Sequence, residues 1–213
     1  MNKYVKMVIV LAAISLVSGL SLGLLNAVTK EQIDKNVLKF KKVPALLDIS
    51  QGFLGELSAD DKAELEKKLL DGRIEIEYKA QKDGEEVTEK KLLFVAEKDG
   101  KPYSVFIESF GQGYGGPVGT MVGITIESGD LSGLGITTIS ETPGVGSRAT
   151  EESFKKQFRG MSGKSTWKIG KDGGDIDAIS GATITSRAVS DAVDKATGFY
   201  KEHKDEIIEK TKK

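Results

Sequence analysis

Charge vanishes from the chain between Met7 and Val28 and returns at Lys30. About 20 helical residues cross a hydrocarbon core roughly 30 Å thick, so residues 7–28 read as a transmembrane anchor behind a cytoplasmic N-terminus, residues 1–6. The rival is a cleaved signal peptide, whose apolar region is usually shorter and ends at a small-x-small site; Leu25-Asn26-Ala27 is a poor one. Ser18, Gly19, Ser21 and Gly23 let another helix approach closely within lipid, which suits an ordinary span or docking against other membrane proteins of a complex. Residues 29–57 read as a helical connector.

Beyond Ser58 the polarity becomes periodic. Ser58 to Leu70 reads as a helix, with Ser58 as N-cap, Asp61 three residues on and Gly72 as stop. Ile74, Ile76 and Tyr78 alternate with charged residues, as in a half-buried strand. Asp83-Gly84 and Asp99-Gly100 are hairpin-turn signals that bracket a strand around Leu92 to Ala96. Tyr103 to Ile107 forms the next, and Val118 to Ile126 and Leu134 to Ile139 flank the turn Gly129-Asp130. Thr150 to Phe158 reads as a short helix. Thr185 to Tyr200 reads as a longer one, with Val189, Val193, Ala196 and Tyr200 on one face. Residues 201–213 read as a charged, exposed tail. The expected class is α+β: an antiparallel meander with flanking helices over residues 58–200, plus one N-terminal transmembrane helix.

Composition then narrows the chemistry. The net charge is −1 and no basic patch interleaves with aromatics, so nucleic acid is not an expected partner. The chain has no cysteine and one histidine, His203, read as a solvated side chain. Iron–sulfur ligation, thiol redox chemistry, a histidine-rich metal site and the common nucleophilic hydrolase designs are therefore unsupported. Redox chemistry would need a borrowed organic cofactor.

Two motifs mislead. Gly163-Lys164-Ser165 resembles the end of a phosphate-binding loop, but Phe158 stands where that loop needs glycine. Gly111, Gly113 and Gly116, and again Gly144, Gly146 and Ala149, match a dinucleotide fingerprint by spacing without its strand-helix context. Each is a structural turn or a ligand loop. The run Asp177-Ala178-Ile179-Ser180-Gly181-Ala182-Thr183-Ile184-Thr185-Ser186 is different. Small residues enter a helix whose N-terminus suits a phosphate, and Thr183 offers a nucleophilic oxygen. The bland reading is a plain cap with Thr185 or Ser186 as N-cap.

Asp177-x-x-Ser180-Gly181-Ala182-Thr183 resembles the flavinylation motif of the FMN-binding domain family. That family includes one membrane component of the ion-translocating Rnf complex and one of the sodium-pumping NADH:quinone reductase. Gly113-Tyr114-Gly115-Gly116-Pro117 and Glu141-Thr142-Pro143-Gly144-Val145-Gly146 also resemble it; Leu is commoner in the family at position 145. The resemblance implies FMN joined through its phosphate to Thr183, with Asp177, Ser180, Gly181 and Ala182 recognised by a separate flavin transferase. It places Thr185, Glu141, Thr142, Pro143, Gly144, Val145, Tyr114 and Gly115 around the flavin. It also implies an electron carrier, not catalytic alone, among other membrane subunits of an Rnf-type complex. The cytoplasmic (inner) membrane would hold it by a single pass with the FMN domain outside. Lys30, Lys35, Lys39, Lys41 and Lys42, counted literally, favour the opposite orientation, yet large domains translocate largely regardless of flanking charge. Another extracytoplasmic FMN redox chain and a structural component with a vestigial motif remain as alternatives.

Overall fold

The computed structural model describes residues 2–82, 84–163 and 165–212. The chain divides into two units, Met1–Lys41 and Lys42–Lys213. The first is dominated by helix α1 (Lys3–Val37), which buries none of its residues. Asn2 caps it by accepting a hydrogen bond from the Tyr4 N–H at 3.3 Å. By length and composition this helix can cross a membrane. Residues Leu38–Lys42 wind as a π-helix.

The second unit begins before Ser58. Helix α2 (Val43–Leu54) buries Val43, Ala45, Leu46 and Ile49, so the stretch read as a connector supplies part of the core. Helix α3 (Ala59–Asp71) starts at the expected capping box, Ser58 and Asp61 each bonding the other's backbone N–H. Five strands follow: β1 (Ile74–Lys82), β2 (Glu85–Lys98), β3 (Lys101–Gln112), β4 (Pro117–Thr125) and β5 (Leu131–Thr138). They pair in sequence order, every neighbour antiparallel. Asp99 and Gly100 both have positive φ, 54° and 71°, as a two-residue hairpin requires. Asp83 of the other expected turn lies outside the described residues.

After β5 the expected single helix over 150–158 is broken into a 3₁₀ turn (Gly146–Thr150), the one-turn α4 (Glu152–Lys155) and a second 3₁₀ turn (Lys156–Phe158). Phe154 and Phe158 are both buried there, their rings edge to face at 5.5 Å. Helix α5 (Thr183–Glu202) and helix α6 (Lys204–Thr211) end the fold.

Helices cover both faces of the sheet, so β4 is buried without a break from Val118 to Ile124. On one face Val118, Val122 and Ile124 join Val105, Ile107 and the α5 stripe of Val189, Val193, Ala196 and Tyr200 in one core. On the other face α2 lies almost on the backbone. A Cβ at Gly135 would sit 2.8 Å from that of Ala45, and one at Gly123 would sit 2.8 Å from Ile49. Fully burying side chains such as Ile49, Met121 or Val189 contributes about 1.5–3 kcal/mol each. The C-terminal residues are not a free tail. Ile207 is fully buried, and Lys210 donates to the Glu75 carbonyl at 2.5 Å. His203 lies against Phe199, ring centroids 4.4 Å apart.

Candidate cofactor site

Three segments meet at one end of the sheet: the β3–β4 connection (113–116), the loop after β5 (140–147) and the run into α5 (177–182). Glu141 joins them. Its Oε1 accepts from the Gly115 N–H at 3.1 Å, and its Oε2 accepts from the Thr185 hydroxyl at 2.9 Å. The nearby glycines are explained by this packing. A Cβ at Gly113 would lie 2.3 Å from Glu141 Oε1, and one at Gly146 would lie 2.6 Å from Oε2. These two members of the dinucleotide-like spacings therefore make room for protein, not ligand. Gly163 of the phosphate-loop lookalike does the same, lying tight against the Gly129 carbonyl; Lys164 is outside the described residues.

The motif run is held from both sides. The Gln157 side-chain amide accepts from the Asp177 N–H at 2.8 Å and donates to the Asp177 carbonyl at 3.2 Å. Buried Ser186 accepts from the Ile179 N–H at 3.0 Å and donates to the Ala182 carbonyl at 2.9 Å. Gly181 has φ +80°, which only glycine adopts without strain. Helix α5 thus begins at Thr183, with Ala182 in the cap position and no side-chain cap. Neither Thr185 nor Ser186 caps it, because the first reaches across to Glu141 and the second reaches back to the loop. The first turn carries no acidic residue. Its N–H groups and the helix dipole favour an anion there.

Thr183 itself is half-buried, and its hydroxyl has no hydrogen-bond partner among the described residues. Thr185 is only 1% exposed. Asp177 and Ser180 are exposed and Ala182 is buried. In the 140–147 loop the Thr142 carbonyl accepts from the Val145 N–H, Pro143 is exposed, and the Gly144 N–H donates to Ser147 Oγ at 2.8 Å. On the converging segments and the first turn of α5, three apolar side chains are left in solvent: Tyr114 (76% exposed), Ile184 (46%) and Val145 (39%). Val145 Cγ1 lies 3.8 Å from where a Cβ at Gly181 would be. By contrast Trp167 is a core residue.

Sequence reasoning missed Gln157, Ser186 in its holding role, and Ile184. A signal for Ile184 existed: it lies on the side of α5 opposite the apolar stripe, an unusual place for isoleucine. On that outer surface Arg187 pairs with Asp172 through two bonds of 2.6 and 2.7 Å. The guanidinium holds the Asp172 carboxyl below the ordinary carboxylate range.

Residues 113–198 match the family model of the FMN-binding domain. Over these residues the chain is similar to FMN-binding domains. The match takes in all three converging segments and Thr183, so FMN is its cofactor. The residues suit that group: an uncapped helix start for a phosphate, an available hydroxyl and an apolar surface for a ring. Over 123 residues the chain is 35% identical to the G subunit of the ion-translocating oxidoreductase complex of Vibrio parahaemolyticus, covering 54% of this chain and 57% of that one. It is 39% identical over 118 residues to the corresponding protein of Salmonella typhi, covering 52% and 56%. The chain thus matches somewhat over half the length of these relatives. Among solved structures it resembles the C subunit of the Na(+)-translocating NADH-quinone reductase of Parabacteroides distasonis. That likeness has a TM-score of 0.53 and 20% identity, and it covers 73% of this chain and 88% of that one. It carries the α+β fold.

Proposed function

We propose that the protein is the electron-transfer subunit of a membrane-bound ion-translocating oxidoreductase complex, relaying electrons through FMN esterified to Thr183. The observation that carries this is half-buried Thr183, whose hydroxyl has no partner among the described residues, at the uncapped start of α5 inside the matched region. The FMN ring, when bound, accepts and returns electrons. The chain's own part is to hold and orient it. The Thr183 oxygen attacks the flavin-side phosphorus of FAD on a separate flavin transferase. One O–P bond forms, the pyrophosphate bond breaks, AMP leaves, and the hydroxyl proton is released. The N–H groups of the first turn would stabilise the charge of the remaining phosphodiester. Tyr114, Val145 and Ile184 offer the ring an apolar surface. Asp177, Ser180, Gly181 and Ala182 face the transferase, and α1 holds the domain on the outer side of the cytoplasmic membrane, among other subunits of the complex.

The test is the intact mass of the protein from membranes of cells with and without the flavin transferase. An FMN increment dependent on the transferase is expected; an unmodified mass in both would end this reading. Orientation is checked separately. The chain has no native cysteine, so Lys79→Cys on exposed β1 should react with an impermeant maleimide in spheroplasts. Labelling only after lysis would place the domain inside.

A further inference from the structure

We infer that Glu141 and Thr185 form a positioning pair, which sets the flavin's surroundings without contacting the flavin. This rests on the reading of Thr183 as the attachment point. Both Glu141 oxygens are spent within the protein, one on the Gly115 N–H and one on the Thr185 hydroxyl. Thr185 is buried to 1% exposure and turned away from solvent. The carboxylate is also hemmed in: Cβ atoms at Gly113 and Gly146 would come within 2.3 and 2.6 Å of its oxygens. Each oxygen is thus engaged within the protein, and the close packing of Gly113 and Gly146 against it restricts any swing toward a bound ring.

What it does have is leverage. Tyr114 sits between Gly113 and Gly115 on the loop that Glu141 holds. Val145 lies on Glu141's own loop, and Ile184 sits between Thr183 and Thr185 on the turn that Glu141 holds. The bridge thus fixes three exposed apolar side chains relative to one another and to the Thr183 oxygen. Placement of this kind must hold to fractions of an ångström to matter for a redox centre. The pair works by geometry, so an amide at position 141 can replace the carboxylate: its oxygen accepts from Gly115 and its NH₂ donates to the Thr185 hydroxyl.

The experiment uses the full-length, flavinylated protein purified from membranes. It reads the FMN mass increment, the visible circular dichroism of the flavin, its midpoint potential and the melting temperature for Glu141→Ala, Glu141→Gln, Thr185→Val and Glu141→Ala/Thr185→Val. Thr185→Val keeps shape and removes only the hydroxyl, so it folds even if Glu141→Ala does not. FMN is expected on every variant. Glu141→Ala and Thr185→Val lose the flavin's dichroism and shift its potential alike, the double variant is no worse than Glu141→Ala because the two act as a unit, and Glu141→Gln restores the native signals. Native dichroism and potential in Thr185→Val, or a Glu141→Gln that behaves as Glu141→Ala, overturns the inference. Lack of FMN on the wild-type protein would instead defeat the attachment at Thr183.

Discussion

The domain has two surface features of opposite kind. Near α3, the start of β1 and α6 lies a cavity of about 740 Å³, lined by Leu54, Leu65, Leu69, Ile74, Val95 and Pro102 among charged neighbours. None of the three segments around Thr183 lines it. The Thr183 end offers instead a half-buried threonine and three apolar side chains in solvent. A diffusible ligand is held by enclosure, with most of its surface buried. A tethered one needs none, because a covalent link keeps it at an effective concentration on the order of millimolar. The shape of the Thr183 end is what a covalently carried cofactor permits, and a hollow elsewhere on such a domain need not be its cofactor site.

The largest effect separating the two features comes from Thr183→Ala. Its hydroxyl makes no hydrogen bond among the described residues, so stability stays within about 0.5 kcal/mol. The FMN mass increment and in-gel flavin fluorescence disappear completely. A large fall in melting temperature would instead give Thr183 a structural role. Leu69→Ala probes the cavity end. Leu69 is 1% exposed, and truncation costs about 2–5 kcal/mol by leaving a void, yet flavin content and spectrum remain native in the folded protein. A flavin spectrum altered by Leu69→Ala would join two features that are separate in this account.

Gly144→Val is milder. Gly144 has φ +73° with open space around it, so the cost is left-handed backbone strain of about 1–2 kcal/mol. The loop carrying Val145 should shift, changing the flavin's absorbance or potential while covalent FMN persists. Unchanged spectra would move the ring away from this loop. The smallest effect is expected from Arg187→Ala, which removes an exposed pair. Arg187 depresses the Asp172 pKa in the folded state. The pair's contribution is therefore present above the unfolded carboxylate pKa near 3.9 and fades as acid lowers the pH through the folded value. Wild type and Arg187→Ala should differ slightly at neutral pH and converge in strong acid; a gap that widens in acid would contradict the pairing.

The meander was legible in the sequence because its edges are half-buried and its turns are marked. Ile74, Ile76 and Tyr78 alternate with charge, and Asp99-Gly100 has the chemistry of a tight hairpin. Helix α2 was hidden because Lys41 and Lys42 precede it and its apolar face reads as more of the same connector. Nothing local announces that Gly123, Gly133 and Gly135 form a bed for it. The C-terminal helix was hidden behind its charge, docking largely through Ile207. At the cofactor site, the run from Asp177 to Thr183 was legible as a motif, but its mechanics were not. Helix start and cap chemistry look alike in sequence, so Thr185 and Ser186 passed for caps when their hydroxyls bond elsewhere. Gln157 acts from twenty residues upstream, a distance that local patterns do not reach.

The identity of one oxygen decides how the flavin is held. Trypsin cuts after Lys171 and Arg187, so the peptide 172–187 of the natively expressed protein carries Ser180, Thr183, Thr185 and Ser186 together. Fragmentation of that peptide should place a single FMN on Thr183, with Thr185, whose hydroxyl is buried against Glu141, unmodified. FMN on Thr185 or Ser180, or a peptide with none, would contradict the account.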